Sequence, residues 1–133
     1  MSQVLVSEAM HKGVVSCDSN TTVMDATKLM VQSNLRSLII VDADCGLVGI
    51  LSQSDLVNAK LVHPSEKAWE QLTVGEIMTS RVLTVPPGAT VEEAARTMID
   101  HRIHRIVVAD VDDPCHPIGI LSMGDIMRHV MSG

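Results

Sequence analysis

The sequence predicts an α/β (α+β) fold of two repeats, each roughly β-α-β-β-α, packed as a pseudo-two-fold pair. Three observations predict it. One stretch occurs twice, as Gly49-Ile50-Leu51-Ser52-Gln53-Ser54-Asp55 and Gly119-Ile120-Leu121-Ser122-Met123-Gly124-Asp125. Earlier segments recur at an offset of 68 residues: Val6-Ser7-Glu8-Ala9-Met10 against Val74-Gly75-Glu76-Ile77-Met78, and Val14-Val15-Ser16-Cys17 against Val82-Leu83-Thr84-Val85. Within each copy, short β-branched runs alternate with stretches whose apolar residues recur at helical spacing.

In chain order, Thr73-x-x-Glu76 has the form of a capping box, so a short helix is expected there and, by the repeat, at Val6. Val14 to Cys17 and Val82 to Val85 read as strands. Asp18-Ser19-Asn20 and Pro86-Pro87-Gly88 then form turns. Thr22-Val23-Met24-Asp25 and Thr90-Val91-Glu92-Glu93 each carry a hydroxyl with an acid three residues on, the signal of a capped helix. Val23, Ala26 and Met30 in one copy, and Val91, Ala94, Ala95 and Met98 in the other, are its core stripe.

Two buried strands follow, Leu38 to Val41 and Leu47 to Leu51, around the turn Asp42 to Gly46. Their counterparts are Ile106 to Ala109 and Ile118 to Leu121, around the longer turn Asp110 to Pro117. From Gly119 onward the offset is 70 residues, so the second hairpin loop is two residues longer. Closing helices begin near Ser52 and Ser122, and the last places Ile126, Met127, Val130 and Met131 on one face. The chain divides into repeat 1 over residues 1–60, a partly helical linker over 61–72 with a His63-Pro64-Ser65 break just inside it, and repeat 2 over 73–133. Trp69 reads as a packing anchor across the two halves.

Composition excludes several classes. Of the 133 residues 46% are hydrophobic, so the chain is not disordered. Phe and Tyr are absent and Trp69 is the one aromatic, so the core is aliphatic and the usual stacking platforms for single-stranded nucleic acid are missing. A net charge of −6 argues against general phosphate-backbone binding. Cys17, Cys45 and Cys115 are odd in number and far apart, which reads as free thiols in a reducing compartment. No signal peptide or span of about 20 apolar residues is present, so a cytoplasmic location is expected.

The Ser-x-x-Asp stretches carry the chemistry. Serine caps the helix and the acid falls at its third position. The same groups suit a phosphorylated sugar, because helix-start N–H groups attract phosphate and a carboxylate accepts from ribose hydroxyls. Capping alone is the plainer reading of one copy; repetition of the whole pattern favours a ligand.

The ordered set resembles a tandem pair of CBS domains, named after cystathionine β-synthase, from about Val6 to Met131. The first copy carries it as Met10, Val14-Val15-Ser16, Thr22-Val23, Ala26, Met30, Leu38 to Asp42, Gly49 to Ser52 and Asp55. The second carries it as Met78, Val82 to Val85, Thr90 to Ala94, Met98, Ile106 to Val108, Gly119 to Ser122 and Asp125. The resemblance implies a regulatory module binding an adenosine-containing ligand in clefts between the repeats: AMP, ADP or ATP, with S-adenosylmethionine or NAD as further candidates. It also implies a homodimer, no required cofactor, no catalytic residues, and an unknown protein partner, with neither nucleic acid nor membrane as partner.

By resemblance, Asp55 and Asp125 meet ribose hydroxyls, and Ser52 and Ser122 meet ribose or phosphate. Ser16 and Thr84 contact the base beside Val15 and Leu83. Arg36-Ser37 and His104-Arg105 lead into the buried strand and supply phosphate contacts, although many members have a proline where this chain has Ser37 and Arg105.

Two other readings stay open. One is a ligand-free dimerisation or scaffold module with empty clefts; the candidate dimer face, Ile126, Met127 and Val130, belongs to the ligand-binding homodimer above. The other is a metal or redox sensor using Cys115, His116 and the His101-x-x-His104 pair. Cys17 and Cys45 have no evident base or oxyanion site, and no phosphate loop or nucleophile elbow is present.

Overall fold

Each repeat folds as two core strands and two ten-residue helices, preceded by a short entry helix. The structure is a computed structural model that describes residues 4–43, 46–110, 112–113 and 116–132, and of Glu66, Met131 and Ser132 the backbone only. In order, the elements are α1 (Val6–Ala9), β1 (His11–Lys12), β2 (Ser16–Cys17), α2 (Val23–Gln32), β3 (Ser37–Asp42), β4 (Gly46–Ser52) and α3 (Gln53–Val62). Then come α4 (Glu66–Glu70), α5 (Val74–Ile77), β5 (Thr84–Val85), α6 (Val91–Asp100), β6 (Arg105–Ala109), β7 (Pro117–Ser122) and α7 (Met123–Ser132). Asp44 and Cys45 in the first hairpin turn, and Val111, Pro114 and Cys115 in the second, lie outside the described residues.

The chain forms two compact units, one from Met1–Val14 with Leu83–Gly133 and the other from Val15–Val82. Each repeat's entry helix therefore packs in the unit built mainly by the other repeat. In the first unit the sheet runs β1-β7-β6-β5, with β5 parallel to β6 and the other pairs antiparallel. In the second unit it runs β2-β3-β4, with β2 parallel to β3. There Thr79 bridges Ile50, in the register position that His11 holds against Ile120.

Six positions of the two cores correspond across the repeat. Val6, Ala94, Met98, Ile106, Val108 and Leu121 pack in the first unit. Val74, Ala26, Met30, Leu38, Ile40 and Leu51 pack in the second. Val6 and Val74, contributed by the entry helices, are fully buried, and burial of each contributes about 2 kcal/mol.

Several sequence expectations are refined. The strands expected from Val14 and Val82 are shortened to Ser16–Cys17 and Thr84–Val85. Strand β1 was not anticipated; both of its residues are exposed, so it carries no apolar signal. Thr73 does not accept a backbone cap bond; its hydroxyl donates to Glu76 Oε1 at 3.2 Å. Ile126 belongs to the core, which leaves Met127 and Val130 exposed on α7, and the side chain of Met131 lies outside the described residues. Trp69 packs in the second unit's own cluster with Val23, Ala59 and Leu72, and Lys60 Nζ sits 5.0 Å from its ring centroid.

The glycines of the repeated stretch mark close crossings. A Cβ on Gly119 would run into the His11 carbonyl oxygen and the Met10 sulfur, whereas the nearest atoms to one on Gly49 belong to the Met78 side chain. Met10 and Met78 are equivalent, so the Met and Gly positions of the pattern are two sides of one contact. Gly119→Ala is expected to destabilise the protein by about 2 kcal/mol, because backbone cannot yield, and Gly49→Ala by less, because a thioether bends aside. Urea unfolding of the two variants measures the difference.

Asp42 closes β3 onto the preceding turn. It accepts from the Ser19 N–H at 2.9 Å and the Ser19 hydroxyl at 2.7 Å. The backbone bond first, and then the hydroxyl, hold its carboxyl below its ordinary value. A lowered carboxylate contributes stability above its unfolded pKa of about 4 and loses it as pH falls through the folded value. The gap in Tm between wild type and Ser19→Ala should therefore be constant above about pH 5 and narrow below about pH 4, as followed by circular dichroism.

Candidate functional site

Strand pairing collects the expected residues on one face of each sheet. Register partners share a face, and alternate residues along a strand return to it. In the second unit Ser16 pairs with Ile39, Ile39 with Ile50, and Ser37 with Ser52. Ser16, Ser37 and Ser52 therefore stand on the face that carries Ile39 and Ile50, opposite the core face of Leu38, Ile40 and Leu51. In the first unit Thr84 pairs with Val107, Val107 with Ile120, and Arg105 with Ser122. Thr84, Arg105 and Ser122 form the matching row, opposite Ile106, Val108 and Leu121.

At the end of each row the chain turns into a helix through a reciprocal box. Ser52 N–H donates to Asp55 Oδ2 at 2.8 Å, and Asp55 N–H to Ser52 Oγ at 3.2 Å. Ser122 N–H donates to Asp125 Oδ2 at 2.8 Å, and Asp125 N–H to Ser122 Oγ at 3.1 Å. The carbonyls of Arg36 and His104 accept the first helical N–H, from Gln53 at 3.3 Å and Met123 at 2.9 Å. Two of the first three N–H groups of each helix are thus satisfied internally, which weakens the expectation of phosphate held by helix-start N–H groups.

In exposure the expected residues divide. Arg36, His104, Ser16, Thr84 and Val15 are exposed, while Ser37 and Arg105 are half-buried. Leu83, in contrast, packs against the first unit's core.

Beyond the box the two acids differ. Asp55 is half-exposed and borders an open groove of about 260 Å³, lined also by Asn58, His63 and Glu76. Among the described residues no donor reaches its Oδ1. Asp125 is 2% exposed, and its Oδ1 accepts from Arg128 Nη2 and lies 3.0 Å from His11 Nε2. Local spacing carries no warning of this: Arg128 is three residues from Asp125, but His11 arrives from the other end of the chain through the pairing of β1 with β7.

Two histidines of the metal and redox reading have other partners. His101 Nδ1 bonds the Thr97 carbonyl at 2.9 Å, and His116 Nδ1 lies 2.7 Å from Asp113 Oδ2. Cys45 and Cys115 lie outside the described residues. Burial pushes the Cys17 thiol up, partly offset by a Thr21 hydrogen bond and reinforced by the Asp18 charge.

The CBS-domain pattern matches residues 6–62 and 74–132. The chain belongs to the CBS-domain family. L-aspartate semialdehyde sulfurtransferase of Methanocaldococcus jannaschii is 33% identical over 93% of this chain, and CBS domain-containing protein CBSX3, mitochondrial, of Arabidopsis thaliana is 33% identical over 86%. The chain spans only 23% of the former and 55% of the latter. Among solved structures, the CBS domain pair of protein MJ0100 in complex with 5′-methylthioadenosine and S-adenosyl-L-methionine superposes with a TM-score of 0.83 at 29% identity, covering 97% of both chains. CBSX2 in complex with AMP superposes at 0.79 with 27% identity, again over 97% of both. Among the described residues, no helix is long and apolar enough to cross a membrane.

The unequal burial of the two acids in this CBS pair has a measurable consequence. Asparagine at either position keeps an acceptor for the cap. At Asp125 it also forfeits charge-assisted bonds in a buried place, so Asp125→Asn is expected to cost about 1–3 kcal/mol and several degrees of Tm. Asp55→Asn should stay within about 0.5 kcal/mol of wild type. Thermal and urea unfolding of both variants tests the contrast.

Proposed function

We propose that this CBS pair is a regulatory module that binds an adenosine-containing ligand and carries no catalytic machinery of its own. The observation that carries the reading is the Ser52–Asp55 box. Its Asp55 Oδ1 has no donor among the described residues, and Ser52 closes a sheet face bearing Ser16, Ser37 and Ile50. A ribose hydroxyl donates to Asp55 Oδ1, the serine hydroxyls meet polar edges of the ligand, and Ile50 offers apolar contact for the base. Arg36, exposed at the approach to β3, suits a phosphate. The adenosine compounds held by the two similar CBS structures support the same ligand class, with AMP, ADP, ATP, S-adenosylmethionine and NAD as the compounds to compare.

Regulation follows if the ligand favours one arrangement of the protein over another, because a shift in population needs only a difference in affinity. Self-association is part of the proposal. Met127 on α7 and its counterpart Val57 on α3 are exposed, as are Val130 and Leu61, giving both closing helices apolar surface for a second copy.

The test is thermal unfolding against AMP, ADP, ATP, S-adenosylmethionine, 5′-methylthioadenosine, NAD and guanine nucleotides. A ligand at a hundred times its Kd adds about 2.7 kcal/mol, a shift of several degrees. A shift selective for adenosine compounds that falls at least tenfold in affinity in Asp55→Asn is expected. No shift with any compound, in protein verified to be ligand-free, would turn the reading to a scaffold.

A further inference from the structure

We infer that the two copies of the box are unequal receptors: Arg128 and His11 close on the Asp125 carboxylate, and the copy at Asp55 alone takes a ribose diol. This rests on the ligand reading above and names which site does the binding and which residues decide it.

The two boxes have the same internal geometry. Their paired bonds are 2.8 and 3.2 Å at Asp55, and 2.8 and 3.1 Å at Asp125. The backbone therefore does not distinguish them. Two side-chain positions do. Asn58 stands where Arg128 stands, three residues past the acid. Thr79 stands where His11 stands, since Thr79 bridges Ile50 as His11 pairs with Ile120.

A carboxylate holds a diol by accepting from its hydroxyls. At Asp125 one oxygen serves the cap and the other already accepts from a guanidinium and faces an imidazole. A neutral hydroxyl entering there must displace a charge-assisted bond, the stronger kind, and gains only an ordinary one. At Asp55 the same oxygen has no donor among the described residues, and Asp55 lines the groove together with Glu76, a second acceptor. Arg128 and His11 are thus specificity-determining residues whose effect is exclusion. Their side chains are 66% and 74% exposed, so replacing them leaves the core intact.

The experiment is isothermal titration calorimetry with 5′-methylthioadenosine, which presents a ribose diol without phosphate, and with AMP in parallel. One equivalent per chain is expected for the wild type, with at least tenfold weaker binding in Asp55→Asn. Two equivalents are expected in the His11→Thr/Arg128→Asn double variant, which rebuilds the surroundings of Asp55 around Asp125. Circular dichroism confirms that each variant is folded. Two equivalents in the wild type, or binding that survives Asp55→Asn unchanged, overturns the inference while leaving the adenosine reading standing. A single equivalent in the folded double variant overturns the assignment to Arg128 and His11. Absence of heat with every adenosine compound overturns the ligand reading and this inference with it.

Discussion

The reciprocal bond pair between a serine and an aspartate three residues later is the constraint on which each unit depends. It ends the second hairpin strand, starts the closing helix and satisfies two backbone N–H groups that would otherwise be orphaned at that junction. Because Ser52 and Ser122 sit in register with Ser37 and Arg105, the box also sets where each acid stands relative to the sheet face opposite its unit's core cluster. Stability and the candidate chemistry therefore use the same atoms. One carboxylate oxygen is committed to the fold, and only the other is available for anything else.

What becomes of that second oxygen separates the two halves. Around Asp55 the chain places Asn58 and Thr79, the oxygen has no donor among the described residues, and Asp55 lines a groove. Around Asp125 it places Arg128 and His11, and these two exposed side chains take up the oxygen of the buried acid. Duplication supplies two equivalent frames, and a pair of substitutions on exposed positions is enough to give them different chemistry without altering backbone geometry. The cost falls on the second copy, whose carboxylate gains internal partners and loses its availability to a neutral donor.

The cores show the opposite behaviour. Val6 and Val74, Ala94 and Ala26, Met98 and Met30, and Leu121 and Leu51 keep their roles across the repeat. Close packing explains the constraint, since a change of even one methylene is felt. The tight crossings of Met10 over Gly119 and of Met78 over Gly49 belong to this conserved packing, and they hold each entry segment against the unit built mainly by the other repeat.

The repeat, the order of its elements, the capping boxes at Ser52, Thr90 and Ser122, the capping hydroxyl of Thr22, and the core stripes of α2 and α6 were legible in the sequence. Each is written in local spacing: a hydroxyl three residues before an acid, or apolar residues at a helical period. Strand β1 was not, because an exposed His-Lys pair at a sheet edge carries no periodic signal. Nor were the turns after α2 and α6, where Asn34 and Arg102 take φ of 52° and 55° without a glycine to announce them. The kinship of the two acids belongs to the sequence, since Ser-x-x-Asp is a local motif. Their inequality belongs to the tertiary structure, because His11 reaches Asp125 only through a strand pairing across more than a hundred residues of chain, and no local spacing encodes that contact.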